Sequence, residues 1–171
     1  MKKLLFLALF GVSAQADINA LHYLEADFQQ KIIDDQNKTI VYNGHVKAAK
    51  PQFALWEYQS PVSKQVYILP YEVVIVEPEL EQAIVKKIGD NFDFFSLIKH
   101  AKKIDDNHYI AYFKEKNYFI VMNGDRLVSI KYKDDFDNSV IIDFKDVRVN
   151  KKIEKEAFAP HIPDDYDLIK E

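Results

Sequence analysis

The chain has 171 residues, with 27 acidic and 23 basic side chains, a formal charge of −4 and no cysteine. Disulfides, thiol chemistry and cysteine-held metals are excluded, and lipid attachment at a cysteine is not expected. A mildly acidic balance without a basic run does not suit nucleic acid or anionic headgroups as electrostatic partners.

The first segment reads as a secretory leader, residues 1–16. Lys2 and Lys3 form a basic flank, Leu4 to Val12 an apolar run too short to span a bilayer, and Ala14-Gln15-Ala16 a cleavage site. The mature chain is then expected to start at Asp17. It would form one domain, residues 17–171, of natural single-domain size. Two of the 23 basic residues lie in the leader, so the remainder holds 21 basic against 27 acidic residues, a formal −6.

Beyond the leader, short breaks separate runs of strand composition. The expected strands are Glu25–Ile33, Thr39–Ala49, Gln52–Tyr58, Lys64–Leu69, Glu72–Val76, Leu80–Ile88, His108–Lys114, Tyr118–Asn123, Arg126–Lys133, Ser139–Asn150 and Tyr166–Ile169. Connections this short favour antiparallel neighbours, because parallel pairs need long crossovers. One main helix is expected over Phe92–Ile104, where Phe94, Phe95, Leu97, Ile98, Ala101 and Ile104 recur at helical spacing. Asp90 and Asp93 favour its start, and Lys99, Lys102 and Lys103 its end. Shorter helical turns are expected around Ile18–Leu24 and Glu154–Phe158.

Several strands are apolar on both faces. Two arrangements satisfy that pattern. A curved sheet can pack on its own core, which the pattern alone favours. Alternatively, the sheet curls around a hydrophobic cavity that one helix covers.

Enzyme signatures are scarce. His22, His45, His100, His108 and His161 show no metal spacing, and no metal or cofactor is expected. Four glycines cannot make a glycine-rich phosphate loop, and no G-x-S-x-G elbow exists. Asp134 to Asn138 lacks the glycine and the final glutamate of a calcium loop, so a solvated hairpin turn is the reading. The 23 aromatic residues are more telling. Stacking on bases usually comes with a basic groove, whereas lining a lipid pocket needs no charge.

The block Lys50-Pro51-Gln52-Phe53-Ala54-Leu55-Trp56-Glu57-Tyr58-Gln59-Ser60-Pro61 resembles the outer-membrane lipoprotein carrier family, LolA. Ala26-Asp27-Phe28-Gln29-Gln30 is similar to the family's first strand, and Glu77-Pro78-Glu79-Leu80-Glu81-Gln82-Ala83-Ile84-Val85 to a later one. Phe94-Phe95-Ser96-Leu97-Ile98 falls where the family has its lid helix. Phe158-Ala159-Pro160 and the run from Pro163 to Ile169 resemble its closing segment.

The resemblance implies a mainly β fold with a few helices. It would be an incomplete antiparallel β-barrel of about 11 strands around a hydrophobic cavity, covered by a helical lid. The cavity would hold the acyl chains of lipoproteins, with no catalytic residue and no enzyme activity. A monomer in the periplasm would receive them from an inner-membrane lipoprotein-releasing ABC transporter. It would pass them to an outer-membrane lipoprotein receptor. A periplasmic lipid- or lipoprotein-sensing regulator on the same fold is the alternative. Strand alternation combined with the family pattern places Tyr42, Val46, Ala54, Trp56, Tyr58, Val128, Ile130 and Tyr132 on the concave face. Phe94, Phe95, Leu97 and Ile98 would form the lid. Lys50 stands at the family's arginine position, which implies that it helps lock the lid shut.

Overall fold

The computed structural model describes residues 18–87 and 94–171. The leader and the expected start of the helix, including Asp90, Phe92 and Asp93, lie outside the described residues. The described chain forms one twelve-stranded sheet. Its strands are β1 (Tyr23–Ile33), β2 (Thr39–Ala49), β3 (Phe53–Ser60), β4 (Lys64–Ile68), β5 (Glu72–Glu77), β6 (Gln82–Lys87), β7 (Lys102–Lys103), β8 (His108–Phe113), β9 (Lys116–Asn123), β10 (Arg126–Lys133), β11 (Ser139–Val149) and β12 (Asp167–Lys170). The spatial order is β12-β6-β5-β4-β3-β2-β1-β11-β10-β9-β8-β7, so the sheet is open, with β12 and β7 at its edges.

Two hairpins built alike anchor the centre. Asp34 accepts hydrogen bonds from the backbone N–H of Gln36 at 2.9 Å and Lys38 at 2.8 Å, turning β1 into β2. Asp134 does the same for Phe136 at 2.8 Å and Asn138 at 3.0 Å, turning β10 into β11. Each turn is completed by a residue in the left-handed region, Asn37 (φ 61°) or Asp137 (φ 62°). Aspartate and asparagine suit both roles, through their short acceptors and their tolerance of positive φ. The acidic run 134–138 is thus a turn whose carboxylate is used by its own backbone.

The closing strand departs from the antiparallel expectation. β12 pairs parallel to β6, Asp167 with Gln82 through Lys170 with Val85. The rule of short connections does not reach it, because residues 150–166 form a long return run between β11 and β12. All four β12 residues are exposed, and the strand caps an edge that β6 would otherwise leave unpaired.

The helix is also shorter than expected. α1 covers Phe94–Lys99, the chain turns at His100, and Lys102–Lys103 pair as β7 with Ile110 and Tyr109 of β8. The free edge of β8 offers backbone partners that a longer helix would forgo. Ile104, counted on the apolar helical face, is 58% exposed.

Apolar residues on both faces are resolved by two separate clusters. One face of the sheet buries Leu24, Ala26, Phe28, Val46, Ala54, Ile130 and Phe144, with Phe95, Leu97 and Ile98 of α1 laid across them. The other face gathers Leu55, Tyr67, Val74, Val76 and Ala83 beneath Phe158, from the return run 150–166. Strand β3 feeds both, Ala54 and Trp56 to one side, Phe53 and Leu55 to the other, as a period of two requires.

Candidate functional site

The first face curls so that β3 and β4 look across at β9, β10 and β11. Between them lies a cavity of about 490 Å³. Trp56, Tyr58, Val66 and Ile68 form one wall, and Tyr118, Ile130, Tyr132 and Ile142 the other. Leu97 of α1 lies over it, and Gln30 of β1 contributes an amide. Lys114, Lys116, Asp134 and Asp135 stand at the turn end of these strands, where Lys116 and Asp135 form a close ion pair. That charged rim is solvated and adds little to stability.

Glycine in β2 sets up the aromatic wall. A Cβ on Gly44 would meet the Glu57 carbonyl oxygen at 2.1 Å and the Phe28 ring at 2.8 Å. Without it, Phe28 lies over the β2 backbone. Its ring meets Trp56 edge to face at 4.9 Å and Tyr58 at 5.1 Å, and Tyr42 meets Tyr58 at 5.7 Å. Edge-to-face pairs match the positive ring edge to the negative face, holding large side chains without close backbone contact. Across the cavity Tyr118 and Tyr132 stack at 4.9 Å.

The wall carries hydroxyls rather than charges. Burial pushes the Tyr58 phenol well above its ordinary value, with Tyr132 and Tyr42 adding to the shift. Burial likewise lifts Tyr132 to about 12, helped by Tyr118 and Asp134. Both are neutral at physiological pH. The Tyr58 hydroxyl donates to Gln30 Oε1 at 2.9 Å. Lys64 stands over the Tyr58 ring, 4.6 Å from its centroid, and 5.6 Å from that of Tyr42.

Of the eight residues expected on the concave face, the structure brings Trp56, Tyr58, Ile130 and Tyr132 to the cavity lining. Val46 and Ala54 are buried in the core of the same face, and Tyr42 reaches the wall through Tyr58. Val128 is not with them. A bulge between Leu127 and Ser129 shifts the register against β9, so inward positions run Leu127 then Ile130. Val128 is left 38% exposed, beside Arg126 and Asp146 at another surface depression. Alternation fails there because one extra residue inverts the phase.

Among the lid residues, Phe95, Leu97 and Ile98 are buried at 4%, 3% and 1% exposure, and the side chain of Phe94 lies outside the described residues. Lys50 places its Nζ 5.9 Å from the centroid of the Phe95 ring. Among the wall residues, sequence reasoning missed Gln30, Val66, Ile68, Tyr118 and Ile142. Gln30 had left a signal, one polar residue in the inward series Leu24, Ala26, Phe28, Gln30, Ile32.

An open, strongly curved sheet with an aromatic cavity under a short helix is the geometry that the resemblance implied. The family model for the outer membrane lipoprotein carrier protein LolA matches residues 19–122. The chain belongs to the LolA family. Among curated LolA relatives, an outer-membrane lipoprotein carrier protein of Campylobacter jejuni is 35% identical over 99% of this chain and 100% of its own. One from Wolinella succinogenes is 33% identical over 95% of both, and one from Helicobacter pylori 36% over 81% of this chain and 74% of its own. Solved structures agree on the fold. An uncharacterised protein of Thermus thermophilus superposes with a TM-score of 0.58 at 10% identity, covering 92% of this chain and 95% of that one. A LolA-superfamily protein from Nitrosomonas europaea gives 0.51 at 11%, covering 82% and 91%. LolA is a carrier family, with a role in lipoprotein trafficking, rather than an enzyme family.

Proposed function

We propose that this protein is a periplasmic monomer that carries lipoproteins by enclosing their acyl chains. It would take them from an inner-membrane ABC transporter and pass them to an outer-membrane receptor. The observation that carries the reading is the cavity of about 490 Å³, walled by Trp56, Tyr58, Tyr118 and Tyr132 on the inner face of an open sheet.

The physics of the task fits that site. Each methylene moved out of water is worth about 0.8 kcal/mol, so a sixteen-carbon chain gains about 12 kcal/mol on burial. A carrier must supply most of that and still let go. A tight apolar core would hold too firmly. Aromatic rings meeting edge to face leave room and can slide apart. The cavity has the volume of a pocket for one drug-sized ligand. An anchor with several chains therefore requires α1, six residues among those described, to move aside. Lys50 over Phe95 would bias α1 toward closure. Release then runs downhill to an acceptor of higher affinity.

Depletion of the protein, followed by membrane fractionation, tests the reading. Lipoproteins destined for the outer membrane are expected to accumulate in the inner-membrane fraction. An unchanged distribution overturns carriage.

A further inference from the structure

The cavity wall is interrupted by one buried amide. Gln30 is 9% exposed and occupies an inward position between Phe28 and Ile32. Its neighbours across the ladder are Ile142 and Tyr42, and Ile142 in turn faces Ile130. A leucine there would fill the rung without any desolvation cost. A buried amide is costly unless its groups are hydrogen-bonded.

Tyr58 meets that demand for the amide oxygen, its hydroxyl donating to Gln30 Oε1. The amide nitrogen makes no hydrogen bond among the described residues, yet no fully buried side-chain nitrogen or oxygen there lacks a partner, so this nitrogen keeps some exposure in a residue that lines the cavity. With the amide turned over, Gln30 would donate to the phenol oxygen and free the phenol proton instead. In either arrangement the pair keeps a donor turned to the cavity and carries no charge. Its complement is a neutral acceptor, a carbonyl oxygen.

We propose that Gln30 and Tyr58 form a polar subsite that receives the carbonyl oxygen of an acyl ester or amide. This rests on the carriage reading and deepens it, since the cavity then recognises the linkage as well as the chain. The register supports the placement. The Gln30 rung lies one inward step below the rung of Ile32, Val140 and Tyr132, beyond which the 134–138 turn carries the charged rim. A carbonyl at Gln30 would leave the polar head near Lys116 and Asp135. The hydrocarbon would run on toward Trp56, Ile68 and Leu97. Lys64 sits on the ring faces of Tyr58 and Tyr42 and does not line the cavity, whose own lysines, Lys114 and Lys116, stand at the charged rim.

Trp56 is the sole tryptophan and lines the cavity, so its fluorescence reports occupancy. The probes are methyl decanoate, N-methyldecanamide, decanoate and an alkane of matching length. Wild type is expected to bind the ester and the amide about five- to tenfold more tightly than the alkane, the worth of one hydrogen bond. Gln30→Leu is expected to abolish that preference, and Tyr58→Phe, which leaves the Gln30 amide unanchored, to reduce it, each read as the ratio of ester to alkane affinity within the same variant. Equal affinity of wild type for ester and alkane overturns the subsite and leaves carriage standing. So does an equal loss for both probes in the variants. Preference for decanoate that disappears in Lys64→Met replaces the subsite with a carboxylate site. Failure of all four probes to perturb Trp56 removes the carriage reading as well.

Discussion

The two faces of β3 make the most instructive contrast in the molecule. One side sends Phe53 and Leu55 into a cluster closed by Phe158, whose ring lies 5.7 Å from that of Phe53. The other sends Trp56 and Tyr58 to a wall that leaves about 490 Å³ unfilled. Both faces are apolar, one covered by α1 and the other by the return run 150–166. The difference is filling. Natural interiors are close-packed, and a void forfeits the dispersion contacts of its lining. A sheet that fills one face and leaves the other open has the shape that the proposed carriage requires.

That contrast can be broken from the filled side first. Phe158 is 2% exposed and closes its cluster. Phe158→Ala is expected to cost about 3–5 kcal/mol, lowering the melting temperature by roughly 10 °C, with acyl-probe affinity unchanged at permissive temperature. Trp56→Ala borders space that is already open. It should cost less, about 1–3 kcal/mol, while weakening probe binding measured by calorimetry. Parallel losses of stability and affinity in both variants would mean that the faces do not divide the work.

Gly44 is the next lever, because it holds the spared face in shape. Gly44→Ala sets a methyl against the Glu57 carbonyl, so β3 must shift. Overpacking of this kind is expected to cost about 2–3 kcal/mol. The tryptophan emission of the unliganded protein should shift as Phe28 is pushed off Trp56. Unaltered stability would show that β2 and β3 can part without cost.

Much of this architecture was legible in the chain. Thr39–Ala49 and Arg126–Lys133 match at both ends, because Asp34 and Asp134 write the turns into the sequence. What escaped has physical causes. β7 is two lysines with no apolar alternation, recruited by a free edge. The apolar spacing of Ala101 and Ile104 imitated a longer helix. The bulge at Val128 leaves no mark in composition. Pattern alone favoured a packed core over the cavity, since a wall facing a void and a wall facing another side chain use the same residues. Gln30 was readable as the odd residue in an inward row, but only its place against Tyr58 gave it meaning.

Alkaline pH separates the faces again. An ordinary phenol titrates near 10, whereas Tyr132 on the cavity wall is lifted to about 12 by burial. Between these values the unfolded chain gives up a proton that the folded chain keeps. Stability from the neutral phenol is thus full below pH 10 and is lost as pH rises through about 12, on the order of 2 kcal/mol. Urea unfolding at about pH 9 and about pH 11.5 is expected to show a smaller alkaline loss in Tyr132→Phe than in wild type. An identical loss would place Tyr132 in water rather than in the wall.

The smallest effect concerns what covers the spared face. Phe95 of α1 is 4% exposed, and Lys50 stands over its ring at 5.9 Å. A cation over a benzene ring contributes about 0.5–1 kcal/mol near a surface. That hardly matters to global stability, but it is enough to change the open fraction of a lid two- to fivefold. Lys50→Met keeps the apolar stem and removes the charge. It is expected to speed hydrogen exchange in 94–99 by about that factor, without moving the melting temperature beyond about 3 °C. Lys50→Arg should slow the exchange, because a guanidinium plane stacks on the ring and carries more donors. A double-mutant cycle with Phe95→Leu assigns the effect, since the cost of Lys50→Met should fall when the ring is gone. Equal exchange in wild type and Lys50→Met would leave α1 held by Leu97, Ile98 and Phe95 packing alone. The contrast between the faces would then rest on filling, with no electrostatic latch above the cavity.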